Sequence, residues 1–233
     1  MCKQLFFSSN VTAPHSKEEL LIYEPFWQMG IVTNEEERMK RLERLLGVQH
    51  LEMERLKILK QQRQQREAIQ TALIKGSVVA WVGPSAAEEL AFLEIAEQFD
   101  QTENLYVRIV PGPLHIHERA PELFQELEQQ LALKKEEWME LIPAFSSIEK
   151  HKLIERESLF AYKERDEHFF DAEVLEALRQ FEEPIPVEKL VAAVYAKRPD
   201  YPVPFYFQRV NENKRKGHIV QTDQNLSLSE HLQ

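Results

Sequence analysis

Residues 77–110 constrain the fold more than any other part of the chain. Val78-Val79-Ala80-Trp81-Val82 is a short apolar run rich in β-branched and aromatic residues, the composition of a buried strand. Gly83-Pro84 turns the chain, and Ser85 with Glu88 has the N-cap and N3 spacing of a capping box. The helix this opens runs to Phe99 and is apolar at 86, 87, 90–93, 95, 96 and 99, so it needs cover on more than one side. After a polar loop at 100–104, residues 105–110 read as a second strand. The 34 residues have the size of a strand–helix–strand unit with parallel strands and a right-handed crossover.

Towards the N-terminus, residues 4–7 read as a strand ending in Ser8-Ser9-Asn10, and residues 20–23 as a second short apolar run. Only residues 11–19, interrupted by Pro14, are counted between them, fewer than a parallel crossover takes. These two runs are therefore not expected to form a strand–helix–strand unit, and the sheet is expected to be small and partly parallel. Residues 24–30 look like a loop that packs aromatics. From Glu35 the pattern is helical, with Met39, Leu42, Leu45 and Leu46 at helical spacing and Gly47 as the break. A second helix is expected over 51–73. Its middle, Lys60-Gln-Gln-Arg-Gln-Gln-Arg66, has no apolar face and reads as a solvated surface available to a partner.

Beyond Pro111 the pattern predicts helices only: one from Pro121 to Leu133, one over 136–142, and one opened by the capping-box spacing Ser146-Ser-Ile-Glu149 and running toward Phe160. A linker over 165–170 leads to three short helices, the first capped by Asp171, the others opened by Pro186 and Pro204. The last closes on Lys214-Arg-Lys216 and Gly217, which suit a helix C-terminus, and residues 218–222 read as a strand. Three short helices followed by a strand or hairpin is the rhythm of a winged helix-turn-helix. The expected organisation is an α/β domain over 1–115 with a helical arm at 35–75, connecting helices over 116–165, and an all-α, winged-helix-like domain over 166–233.

Several short motifs run through both halves. They are Glu24…Gly30-Ile31, Glu36-Glu37-Arg38, Trp81-Val-Gly83…Glu88-Glu89-Leu90, Phe169-Phe170-Asp171…Leu175, Phe205-x-x-x-Arg209 and Gly217-His-Ile219. In these the chain resembles an uncharacterised bacterial family that joins domain of unknown function 1835 to domain of unknown function 3658. Ser8-Ser9-Asn10 stands where that family tends to have a Gly-Asp-Ser-like turn, Ile31 where it has proline, and Asn213 where it has an apolar residue. The resemblance implies the fold and a cytoplasmic bacterial setting, and it implies no activity.

Charge narrows the partners. The formal net charge is −10, but residues 1–75 carry 12 basic and 10 acidic side chains, residues 76–145 carry 4 and 13, and residues 146–233 carry 13 and 16. The acidity thus belongs mostly to the middle third, and a nucleic acid is expected to be met only at an end. The single cysteine, Cys2, favours a reducing compartment, and no run is long enough for a membrane helix. With 6 glycines there is no glycine-rich phosphate loop. His115-x-His117-Glu118 is the one metal-like cluster and lacks an identifiable third ligand, so no metal and no cofactor are expected. No catalytic constellation is assigned.

Two sets of residues remain as candidates. Ser8, Ser9, Asn10 and Ser85 lie where strand ends of an open α/β sheet bind ligands, with capping as the simpler role of Ser85. Gln208, Arg209, Asn211, Lys214, Arg215 and Lys216 form the exposed side of a possible recognition helix, for nucleic acid or a protein partner, with Arg209 alternatively buried against a carboxylate. The expected function is a non-enzymatic cytoplasmic regulatory or adaptor protein acting through protein contacts. The alternatives are a winged-helix DNA-binding regulator, and an enzyme or sensor of a small phosphorylated ligand at the strand ends.

Overall fold

The computed structural model describes residues 2–7, 20–32, 34–49, 52–99, 102–111, 120–198 and 201–232. Four strands, β1 (Lys3–Phe6), β2 (Leu20–Ile22), β3 (Val78–Val82) and β4 (Leu105–Ile109), form a sheet in the order β2-β1-β3-β4. Every pairing in it is parallel, with Gln4 opposite Leu20, Lys3 opposite Val78, and Val78 opposite Leu105. The strand–helix–strand unit at 77–110 is therefore present, with α3 (Ala86–Gln98) between β3 and β4. The first two runs, not expected to form a strand–helix–strand unit, pair in parallel as neighbouring strands. Residues 8–19 between them lie outside the described residues.

All five residues of β3 are buried, as a central strand covered on both faces requires. The apolar character of α3 has the same cause. One side meets the sheet, while Phe92 meets Trp138 and Phe160 with ring centroids 5.4 and 6.1 Å away.

The helical arm is α1 (Glu35–Leu46) and α2 (Glu52–Lys75). Asn34 caps α1, its side chain accepting from the Glu37 N–H at 3.0 Å, and Gly47 ends it at φ +65°, where a Cβ is unfavourable. The arm is divided between two cores. Ile69, Ala72 and Leu73 of α2 enter the core beside the sheet, whereas Met39, Leu42 and Leu45 of α1 pack with the C-terminal helices.

After α4 (Ala120–Gln129) and α5 (Lys135–Met139) the structure departs from the sequence reading. Residues 146–160 do not form a helix. Ser147 Oγ donates to the Ala144 carbonyl within a single 3₁₀ turn, and the chain then makes an antiparallel hairpin of β5 (Leu153–Ser158) and β6 (Ala161–Arg165). Long-range partners decide this. Phe160, at φ +54° in the hairpin turn, donates its N–H to buried Glu89 at 2.9 Å, and Arg156 reaches the same carboxylate at 2.6 Å. The segment expected to hold connecting helices thus includes a hairpin fastened to α3.

The C-terminal part contains α6 (Glu167–Arg179), β7 (Ile185–Pro186), α7 (Val187–Lys197), α8 (Val203–Arg215), β8 (Ile219–Thr222) and β9 (Asn225–Leu228). α6 begins before Asp171, which is therefore not its cap: Asp166 holds that position and Asp171 lies inside the helix. Its strands form an antiparallel sheet in the order β7-β9-β8, so this part is not all-helical. The three helices pack on one another around Phe170, Tyr201 and Phe205, whose centroids lie 4.9–5.2 Å apart. No helix among the described residues is long and apolar enough to cross a membrane.

Candidate functional site

Charged side chains gather where α1, the foot of the β5–β6 hairpin, α6 and α8 meet, around a cavity of about 430 Å³. α6 presents Glu167 and Asp171 four residues apart, hence on one face, toward α8. From α8, Arg209 comes to meet them: it is 3% exposed, with Nη1 3.0 Å from Glu167 Oε2 and 3.6 Å from Asp171 Oδ1. Its guanidinium also lies 5.5 Å from the centre of the Phe205 ring.

Two further cations close the cluster. Arg44 of α1 forks onto Glu167 with bonds of 2.8 and 2.7 Å, and Lys216 reaches Asp171 Oδ2 at 2.6 Å. Burial raises the Glu167 carboxyl, but the guanidinium groups of Arg44 and Arg209 outweigh it and hold the group below the ordinary carboxylate range. Arg41, one helical turn before Arg44, donates from Nε to the Met29 carbonyl at 2.9 Å and from Nη2 to the His151 carbonyl at 2.7 Å. Burial lowers its pKa. Two buried atoms at this junction, Arg209 Nε and Asp171 Oδ1, find no hydrogen-bond partner among the described residues.

Of the six α8 candidates, the structure brings Arg209, Arg215 and Lys216 to this cavity. Arg209 is not on the exposed side of the helix but inside the protein, against carboxylates. Arg215 is exposed and pairs with Glu212 at 2.6 Å. Gln208 donates to Glu212 at 3.3 Å and sits against Gly47, where an added Cβ would come within 2.4 Å of its Oε1. Lys214 bonds Gln221 on β8, and Asn211 faces solvent. Asn213 is completely buried. It donates to the carbonyls of Arg209 at 3.0 Å and Asp171 at 3.3 Å, tying α8 to α6.

The strand ends give a different picture. Ser85 acts as the cap of α3, its Oγ accepting from Glu88 N–H at 3.2 Å. Glu88 reaches beyond it to the Gly83 N–H at 2.5 Å, so the helix N-terminus is occupied by its own carboxyl group. A Cβ on Gly83 would come within 2.3 Å of that carboxyl, so the two pack closely. Burial pushes Glu88 up to about 7, with nearby Glu89 adding to the rise. Ser8, Ser9 and Asn10, like His115, His117 and Glu118, lie outside the described residues.

A second buried polar group went unnoticed in the sequence. Glu94, 0% exposed in the middle of α3, accepts from Tyr23 Oη and Trp27 Nε1 at 2.5 Å each and faces Arg66 Nη2 at 3.2 Å. Arg38 stacks over Trp27 at 4.4 Å and donates to Gln62 at 2.6 Å. The run at 60–66 is therefore not wholly a solvated face, since Gln62 and Arg66 point inward. One signal was available: an acid in a helix that is apolar all round must be buried and paired. The same reasoning applies to Glu89. Nothing comparable marked Arg41, Arg44, Glu167 or Asp171, whose types and spacing are those of ordinary helix surfaces.

The described residues define a mixed α/β protein in which a parallel-sheet unit and a helical unit share a charged junction. The chain matches no family model, no curated protein and no solved structure.

Proposed function

We propose that this is a non-enzymatic cytoplasmic regulatory or adaptor protein that acts through protein–protein contacts. The observation that carries the reading is the outer face of α2. Met53 and Leu56, three residues apart, are 76% and 54% exposed, and Lys57 and Lys60 continue the same face. A helix of 24 residues, about 36 Å long, offers them as an apolar anchor with a basic flank. The fitting partner is a protein with an acidic rim around an apolar pocket. Met53→Glu and Leu56→Glu, which change exposed positions only, should abolish partner capture and leave the circular dichroism unchanged. Turnover of a metabolite by the purified protein, lost on mutating Ser9 or Ser85, would overturn the reading.

A second reading, a winged-helix DNA-binding regulator, draws support from the order α6-β7-α7-α8-β8-β9, with a hairpin beside α8 and Asn211 and Lys214 on its outward side. Against it stand the pairings of Arg209, Arg215 and Lys216 with carboxylates and the packing of α1 on α8. This reading requires a mobility shift of genomic fragments at low salt that weakens when Lys214, Arg215 and Lys216 are neutralised. The family resemblance is compatible with both readings and favours neither.

A further inference from the structure

The junction cavity carries complementary, unmet bonding demands. Arg209 Nε is a buried donor and Asp171 Oδ1 a buried acceptor, and both residues line the same space. Neither atom makes a hydrogen bond among the described residues, Oδ1 having only the 3.6 Å ion pair with Arg209 Nη1. An unmade hydrogen bond on a buried charged group is costly, so a ligand that supplies an acceptor beside a donor relieves both. The charge balance defines the acceptor. Arg165 and Asp166 at the rim are committed outside the cavity, to Glu155 at 2.8 Å and Lys152 at 2.7 Å. That leaves Arg41, Arg44, Arg209, Arg215 and Lys216 against Glu167, Asp171 and Glu212, an excess of two positive charges. Arg41 contributes fully, because both bonds that fix it go to neutral carbonyls.

We propose that the cavity between α1, α6 and α8 binds a small hydroxylated phosphate monoester, the dianionic phosphate facing Arg209 and Arg41 and a hydroxyl donating to Asp171. Guanidinium groups suit phosphate oxygens in geometry as well as charge. About 430 Å³ accommodates a phosphorylated molecule of sugar size. The N-terminus of α3 at the strand ends is filled by Glu88, whereas this cavity is lined by more cationic than carboxylate groups. The proposal is independent of the protein-contact reading.

Isothermal titration of the full chain in phosphate-free buffer tests it, with glycerol 3-phosphate as the probe and sulfate and 3-hydroxybutyrate as comparators. Saturable binding of glycerol 3-phosphate, tighter than of either comparator, is the expected result. Arg209→Lys keeps the charge facing Glu167 and Asp171 but removes the Nε–H, and Arg41→Gln removes a charge while keeping an amide donor. Each should weaken binding about tenfold or more, the worth of a hydrogen bond to a charged group. If Arg209→Lys does not fold, Arg41→Gln decides. Absence of saturable binding at millimolar probe, or equal affinity in wild type and the folded variants, overturns the proposal. Equal affinity for sulfate overturns the role of Asp171, and preference for 3-hydroxybutyrate overturns the phosphate.

Discussion

Leu153 and Ile154 are consecutive, fully buried, and face different cores. Adjacent side chains of a strand point to opposite sides, so β5 works as a partition, with Leu153 packed among the C-terminal helices and Ile154 beside the parallel sheet. The cores meet through this strand, through α1 and through the charged junction beneath it. Leu153→Ala and Ile154→Ala should each cost about 3 kcal/mol. Hydrogen exchange should separate them: amides of α6–α8 lose protection in the first variant, those of β3 and α3 in the second.

Arg209 is the centre of the junction. Arg209→Met removes a buried charge but leaves Glu167 with Arg44 and Asp171 with Lys216. Its cost should therefore fall below that of fully orphaning a buried ion, at about 2 kcal/mol. Adding Lys216→Gln should cost more in that background than in the wild type, because Asp171 then has neither cation. Urea midpoints of the four proteins provide the comparison.

Glu94→Gln is isosteric but removes the charge facing Arg66 and turns one acceptor oxygen into a donor. With Tyr23 Oη and Trp27 Nε1 both directed at one oxygen, the amide satisfies them only by leaving its NH₂ toward Arg66. The expected loss is about 2 kcal/mol, accompanied by a shift of the Trp27 indole N–H resonance.

Glu88 makes stability depend on pH. Its carboxyl, at 4.5 when unperturbed, is pushed up to about 7 in the folded protein, so between these values the native state holds a proton that the unfolded chain has released. Its contribution is complete below about 4.5 and is lost as the pH rises through 7. Glu88→Gln mimics the neutral acid. Its stability relative to wild type should be level at the acid end and reach an advantage of about 3 kcal/mol above neutrality. A constant difference across the range would contradict the assignment.

The parts legible in the sequence are those whose local chemistry and burial agree. Val78–Val82, the Ser85 cap and the apolar α3 identify the strand–helix–strand unit, and Pro186, Pro204 and Gly217 bound α7 and α8 correctly. The hairpin at 153–165 was hidden because a capping-box spacing at 146–149 signals a helix, while the contacts that make a strand come from Glu89, far away in the chain. The charged junction was hidden for a related reason. Arg209 buries its charge only because Glu167, 42 residues earlier, lies opposite it, and no local pattern records that distance.

The contact role of α2 can be tested at one position. A photo-crosslinking amino acid placed at Leu56, in cells of the organism that encodes the protein, should give one discrete protein adduct. That adduct should disappear when Met53→Glu is added, and the same group at exposed Glu126 on α4 should give none. Equal, diffuse labelling from both positions, or an adduct unaffected by Met53→Glu, would contradict the account.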